Sequence, residues 1–339
     1  MTGVVLAEQA KYWMPPEWYP HQRTLMAWPQ SQSWGAGWQQ AAAAFADVAN
    51  SISEYEPLLM MVPANAKERC RKLLNSAIEL LPADYDDAWL RDSGPTFVVD
   101  QCGEQLALSW NFNGWGDRFR PWQLDRKLAA RVAAHLGVSL QHSSMVLEGG
   151  AVHVDGAGSL LVTAQSLFDV KRNPEQQQHE LLQELAAVTG CEQLMLLPAG
   201  LTYDHTHGHI DELACFTAPG RVLLHAVADD EADAQICRQA ELVLQKHAVD
   251  IVRLPAPSAR YLSGGERLTL SYVNFYIAND LVLVPSFDQP QADANAAAII
   301  AEQFPDRRVL ACPALAIAAG GGGIHCITQQ QPLTGAVNE

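Results

Sequence analysis

A strand–strand–helix–strand pattern recurs five times along this chain, and no other feature limits its fold so strongly. Each copy opens on a polar motif with one landmark position. The landmarks fall at Asp92, Glu148, His209, Asn274 and Cys326, at intervals of 56, 61, 65 and 52 residues. The motifs run into strand pairs whose turns carry Gly or Asn, as tight hairpins require. "RDSGPTFVVDQCGEQLALSW" and "SYVNFYIANDLVLVPSF" are examples. Apolar residues spaced by three and four predict helices over 39–56, 121–137, 174–190, 231–248 and 291–305. A short apolar strand follows each, from "PLLMMVP" to "RRVLACP". The last motif, "GGGIHCITQQQP", lacks a second strand, and the N-terminal "TLMAWP" can supply it. A unit repeated at such a period builds a closed array. Packed around an axis, the five landmarks would converge at one end of a central channel. No linker rich in Ser, Pro or charge interrupts the chain, so a single domain over 1–339 is expected.

Bulk properties narrow the function. With 48% hydrophobic residues the chain can bury a large core. It has no apolar run of about 18 residues, the length that spans a bilayer. The start "MTGVVLAEQAKYWMPPEW" lacks the basic, then apolar, pattern of a secretory signal, so a soluble cytoplasmic protein is expected. The formal charge of -16 argues against nucleic acid and anionic membranes as partners. It suits a small cationic substrate, although acidity also serves solubility alone. Seven scattered cysteines without a CxxC pair form neither a disulfide framework nor a cysteine-rich zinc module.

Cys326 follows four glycines, Gly320 to Gly323, which let a ligand approach the backbone closely. It is a candidate nucleophile or a buried strand cysteine. His325, its neighbour in an expected strand, would point the other way and so not serve as its base. Asp92 stands before Ser-Gly-Pro and Glu148 before two glycines, each a turn residue or a ligand contact. "YDHTHGHIDEL" allows three readings. It is similar to the zinc-binding signature of metallo-β-lactamase-type hydrolases, except that Glu212 replaces the final histidine. His209 and Asp211, on one face of a strand, could instead transfer protons and bind a cation. Or the stretch is a half-buried polar strand. The repeat brings Asp92, Glu148, His209 and Cys326 to equivalent positions, with Asp211 two residues along. Guanidinium chemistry uses that set: carboxylates for the planar cation, a thiolate for a poor electrophile, and an imidazole for proton transfer.

Seven blocks then carry a resemblance over nearly the whole chain. "MPPEWYPHQRTLMAWP", "WLRDSGPTFVV", "NFNGWG", "LEGGAVHVDG", "THGHIDELACF", "SYVNFYIAN" and "GGGGIHCITQQQP" closely resemble, in order, those of the agmatine deiminase family, grouped with bacterial-type peptidylarginine deiminases. The resemblance implies an α/β fold of pentein type, a five-bladed α/β-propeller of ββαβ repeats around a central active-site channel. It implies Cys326 as nucleophile and His209 as general acid and base. Asp92 and Asp211 would grip the guanidinium nitrogens, and Glu148 would hold the histidine and the substrate end. Trp89 and Trp115 would wall the alkyl chain. Two positions depart from the family: Gly323, where asparagine is usual, and His207, where aspartate or asparagine is more common. Both are expected at the rim, in contact with substrate, and His205 is expected to be structural. The implied reaction is hydrolysis of agmatine to N-carbamoylputrescine and ammonia, a step of polyamine synthesis, through a covalent thiouronium on cysteine. It needs no metal or other cofactor. The expected partner is a small cationic guanidino compound, with homo-oligomer formation left open. Peptidyl-arginine, free arginine or another guanidino compound is the alternative substrate. A zinc hydrolase built on the histidine cluster, or a non-catalytic pentein like the ribosome anti-association factors, is more distant.

Overall fold

A computed structural model describes residues 12–229 and 231–335. Its strands form five separate sheets, and one of them joins a strand near the start of the described chain to the last described strand. His21–Ala27 runs antiparallel to Thr328–Pro332 on one side and parallel to Leu58–Val62 on the other. The register sets Thr328 against Met26 and Gln331 against Arg23. The strand expected from "TLMAWP" therefore completes the last motif.

The other four sheets repeat the plan without sharing termini. Thr96–Asp100, Gln105–Ser109 and Ser139–His142 form the second. Val152–Val154, Ser159–Thr163 and Gln193–Leu197 form the third. Ala214–Ala218, Arg221–Ala226 and Asp250–Pro255 form the fourth. Tyr276–Ala278, Leu281–Ser286 and Arg308–Pro313 form the fifth. In each, a tight hairpin gives an antiparallel pair, and a helix carries the chain back to a parallel third strand. Only a long crossover permits that parallel pairing. Two short strands extend the plan: Glu79–Pro82 beside Leu58–Val62, and Tyr12–Trp13 beside Thr96–Asp100.

The crossover helices are Trp38–Ser53, Leu128–Leu136, Gln178–Thr189, Ala234–Lys246 and Pro290–Gln303. Three start later than apolar spacing predicts, at 128 rather than 121, at 178 rather than 174 and at 234 rather than 231. Residues 125–127 form a tighter 3-10 turn ahead of the second. The third begins only where Glu180 reaches back to the Gln177 N–H at 2.8 Å, closing its first turn. Gly137 and Gly190 end these two helices in the left-handed conformation, with φ of 69° and 70°.

Apolar strands and helix stripes face each other in three clusters. The largest joins Phe45, Met60, Tyr276 and Ile300 with the surroundings of Cys326. Each landmark residue lies just ahead of the first strand of its sheet. Asp92 sits in the turn Leu90–Ser93, Glu148 before the turn Gly149–Ala151, and Cys326 in the turn His325–Ile327. The repeat thus delivers one polar side chain per sheet to a common place. No helix of the described residues is long and apolar enough to cross a membrane.

Candidate active site

The histidine-rich stretch is not a strand. Residues 201–213 form successive turns, and regular strand begins only at Ala214. Asp204 organises them. Its Oδ2 accepts from the N–H of Gly208 and of His209, both at 2.8 Å, and its Oδ1 accepts from the Thr206 N–H at 2.8 Å. Aspartate is suited to such local bonding. His207 and Gly208 take positive φ, 66° and 108°. The strand alternation expected for His205, His207, His209 and Asp211 is therefore corrected. Reversals of the backbone bring His209 and Asp211 together, and they send the other two histidines elsewhere.

All five landmarks meet. His209 Nε2 lies 3.1 Å from Glu148 Oε2, and its Nδ1 lies 3.8 Å from Asp92 Oδ1 and 4.0 Å from Asp211 Oδ1. The last two distances are too long for hydrogen bonds. His209 Nδ1 and Asp211 Oδ1 are buried without hydrogen-bond partners among the described residues. The Trp115 indole donates to Asp92 Oδ2 at 2.9 Å, and the Gly150 N–H donates to Asp92 Oδ1 at 3.0 Å. Cys326 Sγ lies 3.4 Å from Asp211 Oδ2 and receives the Asn274 Nδ2–H at 3.2 Å. Each of these side chains is buried. The unpartnered Asp211 oxygen and the Asp92 carboxylate are acceptors for a planar cation beside the thiol.

The charges follow from this packing. Burial opposes protonation of His209, but Asp92, Glu148 and Asp211 outweigh it and push the imidazole up to about 9. Burial, aided by Asp211 and Glu148, pushes Asp92 up to about 6 against the pull of His209. Burial would also raise Glu148, yet Arg172 and His209 hold it below the ordinary carboxylate value. For Asp211 burial is likewise outweighed, chiefly by its hydrogen bond from His325. Burial and then the neighbouring Asp211, Glu212 and Asp92 drive the Cys326 thiol well above its usual value. The resting arrangement is a neutral thiol beside an imidazolium, in a nest of carboxylates.

A cavity of about 150 Å³ opens onto Cys326 and Asp92. Trp89 and Trp115 line it as expected, with Phe119 beside them. Two expectations are corrected. Gly323 does not line the cavity: a Cβ there would collide with Asn274 Oδ1, so the position is glycine because that amide needs the space. His207 does not line it either, because its positive φ turns the ring to Asp169, where Nδ1 lies 3.1 Å from Oδ2. His205, expected to be structural, does line the cavity, stacked 6.2 Å from Phe119. The three histidines thus pair with three different acids: Glu266, Asp169 and Glu148. Among the described residues no group of three or more His, Cys, Asp or Glu is arranged to hold a metal ion.

Sequence reading missed a supporting shell. Arg172 Nε lies 3.0 Å from both Glu148 oxygens, and its Nη2 donates to the Thr206 carbonyl at 2.6 Å. It ties the base-holding carboxylate to the turn that carries His209. His325 lies in a 3-10 turn rather than a strand, so it does not point away. Its Nδ1 lies 2.9 Å from Asp211 Oδ2 and its Nε2 2.7 Å from Glu17 Oε1. Asn274 was legible as a landmark but not as a partner of the thiol. The one available signal was position, and only for two of them: Glu17 and His325 are titratable groups inside otherwise apolar blocks, whereas Arg172 lies in the polar run "DVKRNPEQQQ".

Known proteins share this arrangement of chain. The profile of the Porphyromonas-type peptidyl-arginine deiminase family matches residues 13–332. An agmatine deiminase of Pseudomonas aeruginosa is 38% identical over 351 residues, covering 94% of this chain and 95% of its own. Another, of Ectopseudomonas mendocina, is 38% identical over 365 residues, covering 98% and 99%. The solved structure of the agmatine deiminase of Enterococcus faecalis superposes with a TM-score of 0.91 at 30% identity, covering 98% of this chain and 99% of that one.

Proposed function

Because the chain belongs to the Porphyromonas-type peptidyl-arginine deiminase family, we propose that it hydrolyses agmatine to N-carbamoylputrescine and ammonia, with Cys326 as nucleophile. The five sheets are read as blades of a single pentein domain closed around the site. One observation carries the chemistry: the Cys326 thiol and Asp92 line one small cavity, and directly behind them lie a protonated His209, 3.8 Å from Asp92, and Asp211, 3.4 Å from the thiol.

The sequence of steps follows from the charges. Asp92 and Asp211 take the guanidinium through its N–H groups. The arriving cation offsets the carboxylates that had held the thiol protonated, the thiol proton passes to solvent water, and the Asn274 N–H steadies the thiolate that forms. The thiolate attacks the guanidinium carbon. His209, charged at neutral pH, gives its proton to the departing ammonia. A cationic thiouronium remains on sulfur. Neutral His209 then takes a proton from water as the water adds to the same carbon. Collapse expels the thiolate, which takes up the proton of the new hydroxyl, and leaves the carbamoyl product. Glu148, itself held by Arg172, keeps the imidazole in place through Nε2 and leaves Nδ1 to face the substrate.

The test is ammonia release from agmatine. Cys326→Ala and His209→Ala are each expected to lower it by about 10³-fold or more, with folding retained. Denaturing mass spectrometry of acid-quenched enzyme should find the thiouronium on the peptide containing Cys326. Undiminished turnover by Cys326→Ala overturns the assignment.

A further inference from the structure

Resting on that reading and going beyond it, we propose that Asp87 selects the substrate by its far end: it accepts a terminal ammonium and turns away a carboxylate. Asp92 and Cys326 line only the inner cavity of about 150 Å³. A second cavity, of about 650 Å³, shares Ser33, Asp87, Trp115 and Phe119 with it. Asp87 therefore stands where the inner space meets the outer one. A guanidinium seated at Asp92 directs the rest of its molecule along Trp115 and Phe119 toward this junction. Apolar rings suit a chain of methylenes, and the carboxylate beyond them suits a cation.

The Asp87 carboxylate is built in rather than loose. Its Oδ1 accepts from the Trp34 indole at 3.1 Å and from the Ala88 N–H at 2.8 Å. Both donors are neutral, so they orient the group without neutralising it. Burial pushes its carboxyl up, as it does where no fixed cation compensates. No Lys or Arg among the described residues lines the inner cavity. The outer cavity holds one, Arg120, already paired with Asp117, against Asp84, Asp86, Asp87 and Asp125. Free arginine would bring the same ammonium with a carboxylate on the same carbon, and that carboxylate would meet like charge at this acidic junction. An arginine within a peptide would bring neutral amides and leave Asp87 uncompensated. Agmatine brings an ammonium, which forms a charge-assisted hydrogen bond there.

The experiment compares kcat/KM for agmatine, butylguanidine and arginine in the wild type and in Asp87→Asn. Butylguanidine keeps the four-carbon chain and lacks the ammonium. The ratio of agmatine to butylguanidine is expected to fall roughly 10- to 100-fold in Asp87→Asn, mostly through KM, as for loss of one charge-assisted bond. The discrimination against arginine should shrink with it, and Asp87→Glu should retain part of both. A ratio unchanged within about twofold overturns the proposal, even though deimination continues. Failure of every compound to react in the wild type strikes instead at the deiminase reading. Calorimetric binding of agmatine to Cys326→Ala and to the Cys326→Ala, Asp87→Asn double variant then reads the selection without turnover. Equal affinities there overturn it as well.

Discussion

Two groups in the site titrate well above their ordinary solution values, and the pH dependence follows from both. Asp92 titrates near about 6 and His209 near about 9. Below about 6 Asp92 takes a proton and loses its grip on a cation. Above about 9 His209 loses the proton that ammonia must receive. The kcat/KM profile should therefore rise through about 6, hold, and fall through about 9, since kcat/KM reports free-enzyme groups. Asp92→Asn should erase the acid limb in what activity remains. A basic limb near the ordinary histidine value of about 6.5 would contradict this account. Cys326, His209, Asp211, Asp92 and Glu148 were legible as residues because each opens a repeat or lies within its motif. Arg172 and His325 were not, because what they do depends on which distant carboxylate folding places beside them.

The turns, rather than the strands, make the site. Gly149–Ala151 is one short 3-10 turn, and Gly150 at its centre touches both carboxylates of the cation site. Its N–H bonds Asp92, and its carbonyl accepts from the Asp211 N–H at 3.2 Å. A Cβ on it would stand 2.7 Å from His209 Nδ1 and 2.9 Å from both Asp211 Oδ2 and Asp92 Oδ1. Gly150→Ala is therefore expected to cut kcat/KM by about 10²-fold or more, with a smaller effect on the melting temperature, because one methyl must displace His209, Asp211 and Asp92 from their working positions. Comparing turnover with thermal unfolding checks this, and near-normal turnover would refute it. Elements with strong periodicity were readable: all five helices overlap the ranges that apolar spacing sets, the second starting seven residues late, and the strand pairs follow the hairpin motifs. The stretch 201–213 was not, since alternating histidines look alike whether they lie in a strand or are turned by Asp204 and Gly208.

The sheets are tied together by a buried ionic centre as well as by apolar packing. Glu17 precedes the first sheet's inner strand, and three others converge on it: Arg91 at 3.2 Å, His325 at 2.7 Å and His153 at 3.5 Å. Those partners stand at three different sheets. Burial would raise the Glu17 carboxyl, but His325, Arg91 and His153 hold it well below its ordinary value. Glu17→Gln should cost roughly 3–5 kcal/mol, because removing one partner leaves buried cations unpaired. Thermal or denaturant unfolding measures that, and a loss under about 1 kcal/mol would show the centre to be dispensable. The fivefold plan of the whole molecule was visible in the sequence, since a repeat announces itself at a fixed period. This centre was not, since it belongs to no repeat. The pairing of Thr328–Pro332 with His21–Ala27 has a consequence in time. On the ribosome, this strand is made last of those described, and Cys326 emerges only two residues before it. The acids and the imidazole are all synthesised before the thiol, so the growing chain carries no Cys326 nucleophile until every other described strand has been made.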